Sequence, residues 1–155
     1  MTIEIPGYKR LDIRHVVLDY NGTVAKDGSL PPDVKELVRE LSLRYAVHVV
    51  TADTFGTVAK ELEGLQVKRV VLQSDDHTRE KAAFVASLGA ENCAAVGNGS
   101  NDAAMLEAAA LGIAVVGEEG CSALAMRNAD VLTRHIADAI GLLLHPKRLV
   151  ATLRR

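Results

Sequence analysis

The stretch His15-Val-Val-Leu-Asp19-Tyr-Asn-Gly-Thr23 decides how this chain is read. A short β-branched apolar run ends on an aspartate, and a glycine and a threonine follow three and four residues later. Strand, carboxylate, tight turn is the way a buried parallel sheet presents one acidic group at its rim. A carboxylate so placed can act as a nucleophile, a metal ligand or both. The unusual position is Asn21, where many phosphoryl-transfer sites of this build carry a second acid.

Outward from that run, apolar stretches alternate with helical patterns along the whole chain. The predicted strands are His15–Leu18, Val47–Val50, Val67–Leu72, Cys93–Val96, Ile113–Val116 and a weaker Val131–Leu132. The predicted helices are Pro32–Arg44, Thr54–Glu63, Arg79–Leu88, Asp102–Leu111, Ser122–Asn128 and Ile136–Leu144, with helix resuming after Pro146. Pro31-Pro32-Asp33 starts a helix well, and Gly64, Gly89 and Gly112 are expected helix stops. Regular alternation of this kind predicts an α/β fold: a doubly wound parallel sheet of about five to six strands flanked by helices. With 155 residues, no repeat and no linker, residues 1–155 are expected to form one domain.

Composition narrows the function classes. Aromatic residues make up only 3% and tryptophan is absent, so no stacking platform for bases is evident. The net charge of −2 leaves no electrostatic footprint for nucleic acid. The basic end, Lys147, Arg148, Arg154 and Arg155, reads as complementing the carboxyl end of a helix. No apolar run approaches membrane-spanning length, and the first ten residues lack a signal region, so no membrane partner is expected. Cys93 and Cys121 suggest neither a disulfide framework nor a zinc site, and a cytoplasmic location is expected. The five histidines lack metal-ligand spacing and read as structural.

Ligands of open parallel sheets bind beyond the carboxyl ends of the strands. The polar groups expected there are Asp19-Tyr-Asn21, Thr51-Ala52-Asp53, Gln73-Ser-Asp-Asp76 and Gly97-Asn98-Gly-Ser-Asn-Asp102, with Lys81 early in the helix before the fourth strand. Alone, Asp19 could cap a turn, Thr51 could cap a helix and Lys81 could be a solvated helix lysine. Together and in order they suit a phosphoryl group and a hard divalent cation. The loop 97–102 also looks like a dinucleotide glycine loop, but Asp102 stands where a third glycine belongs and would repel a pyrophosphate. A receiver domain of a signalling relay uses the same residue types, but with the lysine late in the chain rather than before the fourth strand.

This ordered set resembles the haloacid dehalogenase-like superfamily of phosphotransferases from His15 onward. Its motif Asp-x-Asp-Gly-Thr is matched by Asp19-Tyr-Asn-Gly-Thr23, its Ser/Thr by Thr51, its lysine by Lys81, and its Gly-Asp-Gly-x-Asn-Asp by Gly97-Asn-Gly-Ser-Asn-Asp102. Within the superfamily the chain most resembles the phosphorylation domain of P-type ATPases, whose Asp-Lys-Thr-Gly-Thr also lacks the second acid and whose Thr-Gly-Asp is matched by Thr51-Ala-Asp53.

The resemblance implies that Asp19 is the nucleophile and forms an aspartyl-phosphate, with Asn21, Thr51 and Lys81 completing the catalytic set. Tyr20 and Asn21 (through backbone N–H groups), Thr51, Ala52 and Lys81 would hold the phosphoryl oxygens. Mg²⁺ would be bound by Asp19, the carbonyl of Asn21, Asn98 and Asp102, and Asp53 would orient Lys81 or metal-bound water. Only 28 positions separate Thr23 from Thr51 and 30 separate Thr51 from Lys81, so no cap domain fits. The expected site is open, taking a large phosphorylated substrate or closed by a second copy of the chain. Because Asn21 cannot exchange a proton, turnover should be slow, and the alternative is a binding module for phosphate or protein on the same fold.

Overall fold

The computed structural model describes residues 1–53 and 56–155. A small antiparallel hairpin comes first, β1 (Thr2–Glu4) and β2 (Arg10–Asp12). There follow β3 (His15–Asp19), α1 (Pro32–Ser42), β4 (Ala46–Thr51), α2 (Thr57–Glu61), β5 (Val67–Val71), α3 (His77–Ser87), β6 (Cys93–Gly97), α4 (Ala103–Ala108), β7 (Leu111–Val115), α5 (Ala123–Arg127), β8 (Val131–Thr133), α6 (Ile136–Leu144) and α7 (Pro146–Leu153). Six strands form one parallel sheet in the order β5-β4-β3-β6-β7-β8. The predicted helix over 54–63 begins in residues outside those described, and its described part is α2.

Each central strand is apolar on both faces, as a sheet covered on both sides requires. Val16, Leu18, Val47, Val49 and Val96 face the layer that contains α1 and α6, while Val17, Val50, Ala95 and Ala114 face the layer of α3 and α4. The chain winds outward from β3 to β5, then returns to pair β6 on the other side of β3. That reversal between β3 and β6 is the switch point at which open α/β sheets bind ligands. In register, Asp19 pairs Val50, Leu18 pairs Val96 and Thr51 pairs Val71, so the carboxyl ends of β3, β4 and β6 lie level. The intervals expected to lack a cap hold only a turn with α1 and β4, and α2 with β5, among the described residues.

Three sequence expectations change. The hairpin β1/β2 is new. Ile3 and Leu11 pair across it and are buried, and Tyr8 and Lys9 donate to Asp130, whose other oxygen accepts the Gly112 N–H at 2.8 Å. Gly112 is not a helix stop. It lies inside β7, and helix α4 ends at Ala108. A Cβ on Gly112 would stand 2.4 Å from the Leu106 carbonyl oxygen, so glycine is there because helix and strand pack in contact. Finally, α4 is preceded by one 3₁₀ turn, Ser100–Asp102, which places Asp102 inside the fold rather than on an exposed helix start.

Candidate active site

The site is built at the carboxyl ends of β3, β4 and β6. Asp19 closes β3 and is 7% exposed. Backbone bonds from Val24 to Asp19 and from Ala25 to Tyr20 fold the following turn back over the strand end. That turn needs Gly22 at φ +76°, where a side chain would be strained and would press on Asn98. It brings Thr23 beneath the carboxylate: the Thr23 hydroxyl is 3.1 Å from Asp19 Oδ2 and 3.0 Å from Asn98 Oδ1.

Lys81 enters from the second turn of α3 and is 3% exposed. Its Nζ donates to Asp19 Oδ1 at 2.8 Å, to Asp102 Oδ1 at 2.8 Å and to Asn101 Oδ1 at 3.2 Å. All three ammonium protons are thereby used. Asp102 is fully buried, and its Oδ2 accepts the N–H groups of Asn98 and Gly99, each at 2.9 Å. Gly97 makes room for it, since a Cβ there would meet Asp102 Cγ at 2.5 Å. Residues 62 and 21 positions from the lysine are thus joined by one cation.

Two carboxylates share that single cation. Burial, and repulsion from Asp102, raise Asp19 to about 6 against the pull of Lys81 and Thr23. Burial pulls Lys81 down, but attraction from Asp19 and Asp102 outweighs it and holds the amine above its ordinary value.

A pocket of about 250 Å³ opens over this cluster, and its lining includes Asp19, Asn21, Thr51, Ala52, Lys81 and Asn98. Most of the expected site residues are therefore brought together. Thr51 is buried at the end of β4, where its Oγ1 accepts the Asp53 N–H at 3.0 Å and keeps its own proton to donate. Asp102 lies directly behind the pocket, on Lys81.

Three expectations are corrected. Asp102 is not placed to ligate a metal: it is fully buried outside the pocket lining, with Oδ1 taken by Lys81 and Oδ2 by the Asn98 and Gly99 N–H groups. Tyr20 does not offer its N–H to a phosphoryl group. That N–H is donated to Val50 O at 3.1 Å, extending the sheet pairing, and the Tyr20 phenol donates to Gly28 O at 2.9 Å. Asp53 accepts the Val58 N–H at 2.9 Å and so secures the start of α2. Three residues with no expected site role also belong to the cluster. Thr23 stands between Asp19 and Asn98, Asn101 is the third acceptor of Lys81, and His77, read as structural, lines the pocket. The signal for His77 was its spacing: it precedes Lys81 by one helical turn and shares its face.

The donors fit a magnesium ion. Carboxylate, amide and carbonyl oxygens are hard ligands. Burial first, and then repulsion from Asp102, raise Asp19, and a cation beside it would relieve the repulsion. Among the described residues no group of three or more His, Cys, Asp or Glu side chains is placed to hold a metal ion, so a cation here would draw on amide and carbonyl oxygens besides Asp19. Beside this pocket lies a second cleft of about 410 Å³, lined by Gly22, Thr23, Lys26, Glu118, Glu119 and His135 among others. The two share the turn after β3.

Comparison with known proteins follows this geometry. Over 92% of its length the chain superposes on 94% of the 3-deoxy-D-manno-octulosonate 8-phosphate phosphatase of Moraxella catarrhalis, a structure in complex with magnesium, phosphate and KDO, with TM-score 0.72 and 16% identity. A putative haloacid dehalogenase superfamily hydrolase of Legionella pneumophila matches with TM-score 0.67 and 17% identity, over 91% of this chain and 88% of that one. The fold is haloacid dehalogenase-like. A zinc-transporting PIB-type ATPase shares this fold with the chain at TM-score 0.62 and 25% identity, over 79% of this chain and 20% of the much longer ATPase. No family model matches the chain. In sequence, an uncharacterized protein of Methanocaldococcus jannaschii is 45% identical over 60 residues, which is 39% of this chain and 64% of that protein. No helix among the described residues is long and apolar enough to cross a membrane.

Proposed function

We propose that this chain is a Mg²⁺-dependent phosphohydrolase or phosphotransferase that works through an aspartyl-phosphate on Asp19. The observation that carries the proposal is the buried ammonium of Lys81, 2.8 Å from both Asp19 and Asp102 in the lining of the 250 Å³ pocket. The magnesium and phosphate of the Moraxella structure support it, as does the P-type ATPase likeness.

The Asp19 carboxylate, largely ionised at neutral pH, attacks phosphorus in line, and the bond to the leaving oxygen breaks. Lys81 and the Thr51 hydroxyl hold the phosphoryl oxygens and offset the charge that develops on them. A phosphoryl oxygen can take the place of Asn101 on Lys81, the weakest of its three acceptors. Asp19, the Asn21 carbonyl and Asn98 would hold Mg²⁺, which would supply further charge neutralisation, while Asp102 holds Lys81 in place. Asn98 lends an oxygen but no charge.

Asn21 cannot hand over or take up a proton, and general acid–base help is worth ~10²–10⁴-fold. Unless another group carries the proton, turnover would be slow, and acyl and aryl phosphates would be better substrates than sugar phosphates. Among the described residues no cap covers the site, so the substrate is large or a second copy of the chain completes the enclosure. The free thiols of Cys93 and Cys121 suit a reducing compartment. The test is hydrolysis of p-nitrophenyl phosphate in Mg²⁺. Loss of activity in Asp19→Asn is expected. Absence of turnover in the unmodified protein, with beryllofluoride still bound, would instead favour a binding module.

A further inference from the structure

We infer that His77 is the proton carrier of this site, taking the part that Asn21 cannot play. The inference rests on the phosphotransfer reading above and adds to it the residue that lets the aspartyl-phosphate turn over. Among the described residues lining the 250 Å³ pocket, three carry ionisable side chains: Asp19, Lys81 and His77. Asp19 and Lys81 are bound to each other at 2.8 Å and are committed to phosphoryl transfer. His77 is the remaining one, and histidine is the side chain whose ordinary titration spans neutral pH.

Its placement suits the task. His77 opens α3 and lies one turn before Lys81 on the same face, on the side of the lysine nearer the helix start. It is half-buried, so it can reach both the pocket and water. The segment that carries it is held firmly. The Glu80 carboxylate accepts the N–H groups of Gln73 and Ser74 at 2.7 and 2.8 Å, and Asp76 caps the helix by accepting the Arg79 N–H at 3.0 Å. Such support keeps a proton carrier where the reaction needs it. Charged groups near the imidazole include Glu80, with Asp76 and Arg79 beside it in the chain and Lys81 and Asp19 lining the same pocket.

In the first step the Asp19 oxygen bonds to phosphorus, the ester P–O bond breaks, and the leaving alkoxide takes a proton from the His77 imidazolium. In the second step a water oxygen bonds to the same phosphorus and gives its proton to the now neutral imidazole. The P–O bond to Asp19 breaks, and phosphate, carboxylate and imidazolium are regenerated.

The experiment loads the protein with acetyl phosphate in Mg²⁺ and follows decay of the phosphoprotein by intact mass across pH 5–8. His77→Gln is expected to slow decay by ~10²-fold and to flatten its pH dependence. Beryllofluoride affinity should stay within about twofold. Added imidazole should restore decay in His77→Ala, and Asn21→Asp should restore it in the His77→Gln background. Decay at the unmodified rate in His77→Gln, with the pH profile intact, would overturn the role of His77 while leaving the aspartyl-phosphate standing. Failure to form any phosphoprotein, in a chain whose Asp19→Asn variant behaves identically, would overturn both.

Discussion

Asp19, Lys81 and Asp102 form a largely buried chain of alternating charge, and its energetics are unforgiving. Removing one member of a buried ion pair typically costs ~3–5 kcal/mol, because the partner is left charged and unpaired. Lys81→Met leaves two buried carboxylates facing each other. It should lower stability by about that amount at neutral pH in urea denaturation, with part of the loss recovered on adding Mg²⁺. Asn98 is the other informative residue. Its Oδ1 lies 3.0 Å from the Thr23 hydroxyl, so the amide oxygen already points where a carboxylate oxygen would. Asn98→Asp adds the missing charge, and titration calorimetry should find Mg²⁺ bound about tenfold tighter, a gain of ~1.4 kcal/mol.

At the scale of elements, two glycines set how closely helix and strand approach. Gly97 ends β6 against the Asp102 carboxyl, and Gly112 lies in β7 against the backbone of α4. The clash at Gly112 is with backbone, which cannot swing aside as a flexible side chain would. Gly112→Ala should therefore cost ~1–3 kcal/mol, read as a fall in Tm. The β5–α3 connection carries no such glycine. It is tied instead by Glu80, reaching back from the helix to two N–H groups of the loop. Residue patterns made the long, strongly apolar strands plain, and α6 matches its expected span Ile136–Leu144. Short elements were harder. The hairpin β1/β2 has three residues a side, and its only marks were the alternating Ile3/Ile5 and Leu11/Ile13 around Pro6-Gly7. Its anchor, Asp130, lies 122 positions from Tyr8.

Across the whole molecule, the sheet buries a histidine at the end opposite the active site. His48 on β4 is 2% exposed, 3.3 Å from His15 on β3 and packed against the edge of Phe84. Burial, with repulsion from His15 and Lys68, drives it from 6.5 down to about 4. The unfolded chain then binds more protons than the fold between those values, so this residue makes stability fall as pH drops from 6.5 to 4. Asp19, raised to about 6, acts in the opposite direction over part of the same window. The comparison that isolates His48 is with His48→Gln. Denaturation midpoints at about pH 7 and about pH 4.5 should reveal an acid penalty on the order of 2–3 kcal/mol in the unmodified protein that the variant lacks.

Order along the chain was enough to reveal an α/β sheet with Asp19, Thr51, Lys81 and the 97–102 loop at successive strand ends, because hydrophobic periodicity is local and each of those residues follows its own strand. It also disclosed the two asparagines at positions 21 and 98, since residue type is independent of fold. What only the tertiary structure decided was which groups meet. Tyr20 spends its N–H on the neighbouring strand, Asp53 turns to α2, Thr23 reaches under Asp19, and His77 faces the pocket. Each depends on the register of distant strands and the rotation of a helix about its axis, and neither is written in any short stretch of the chain.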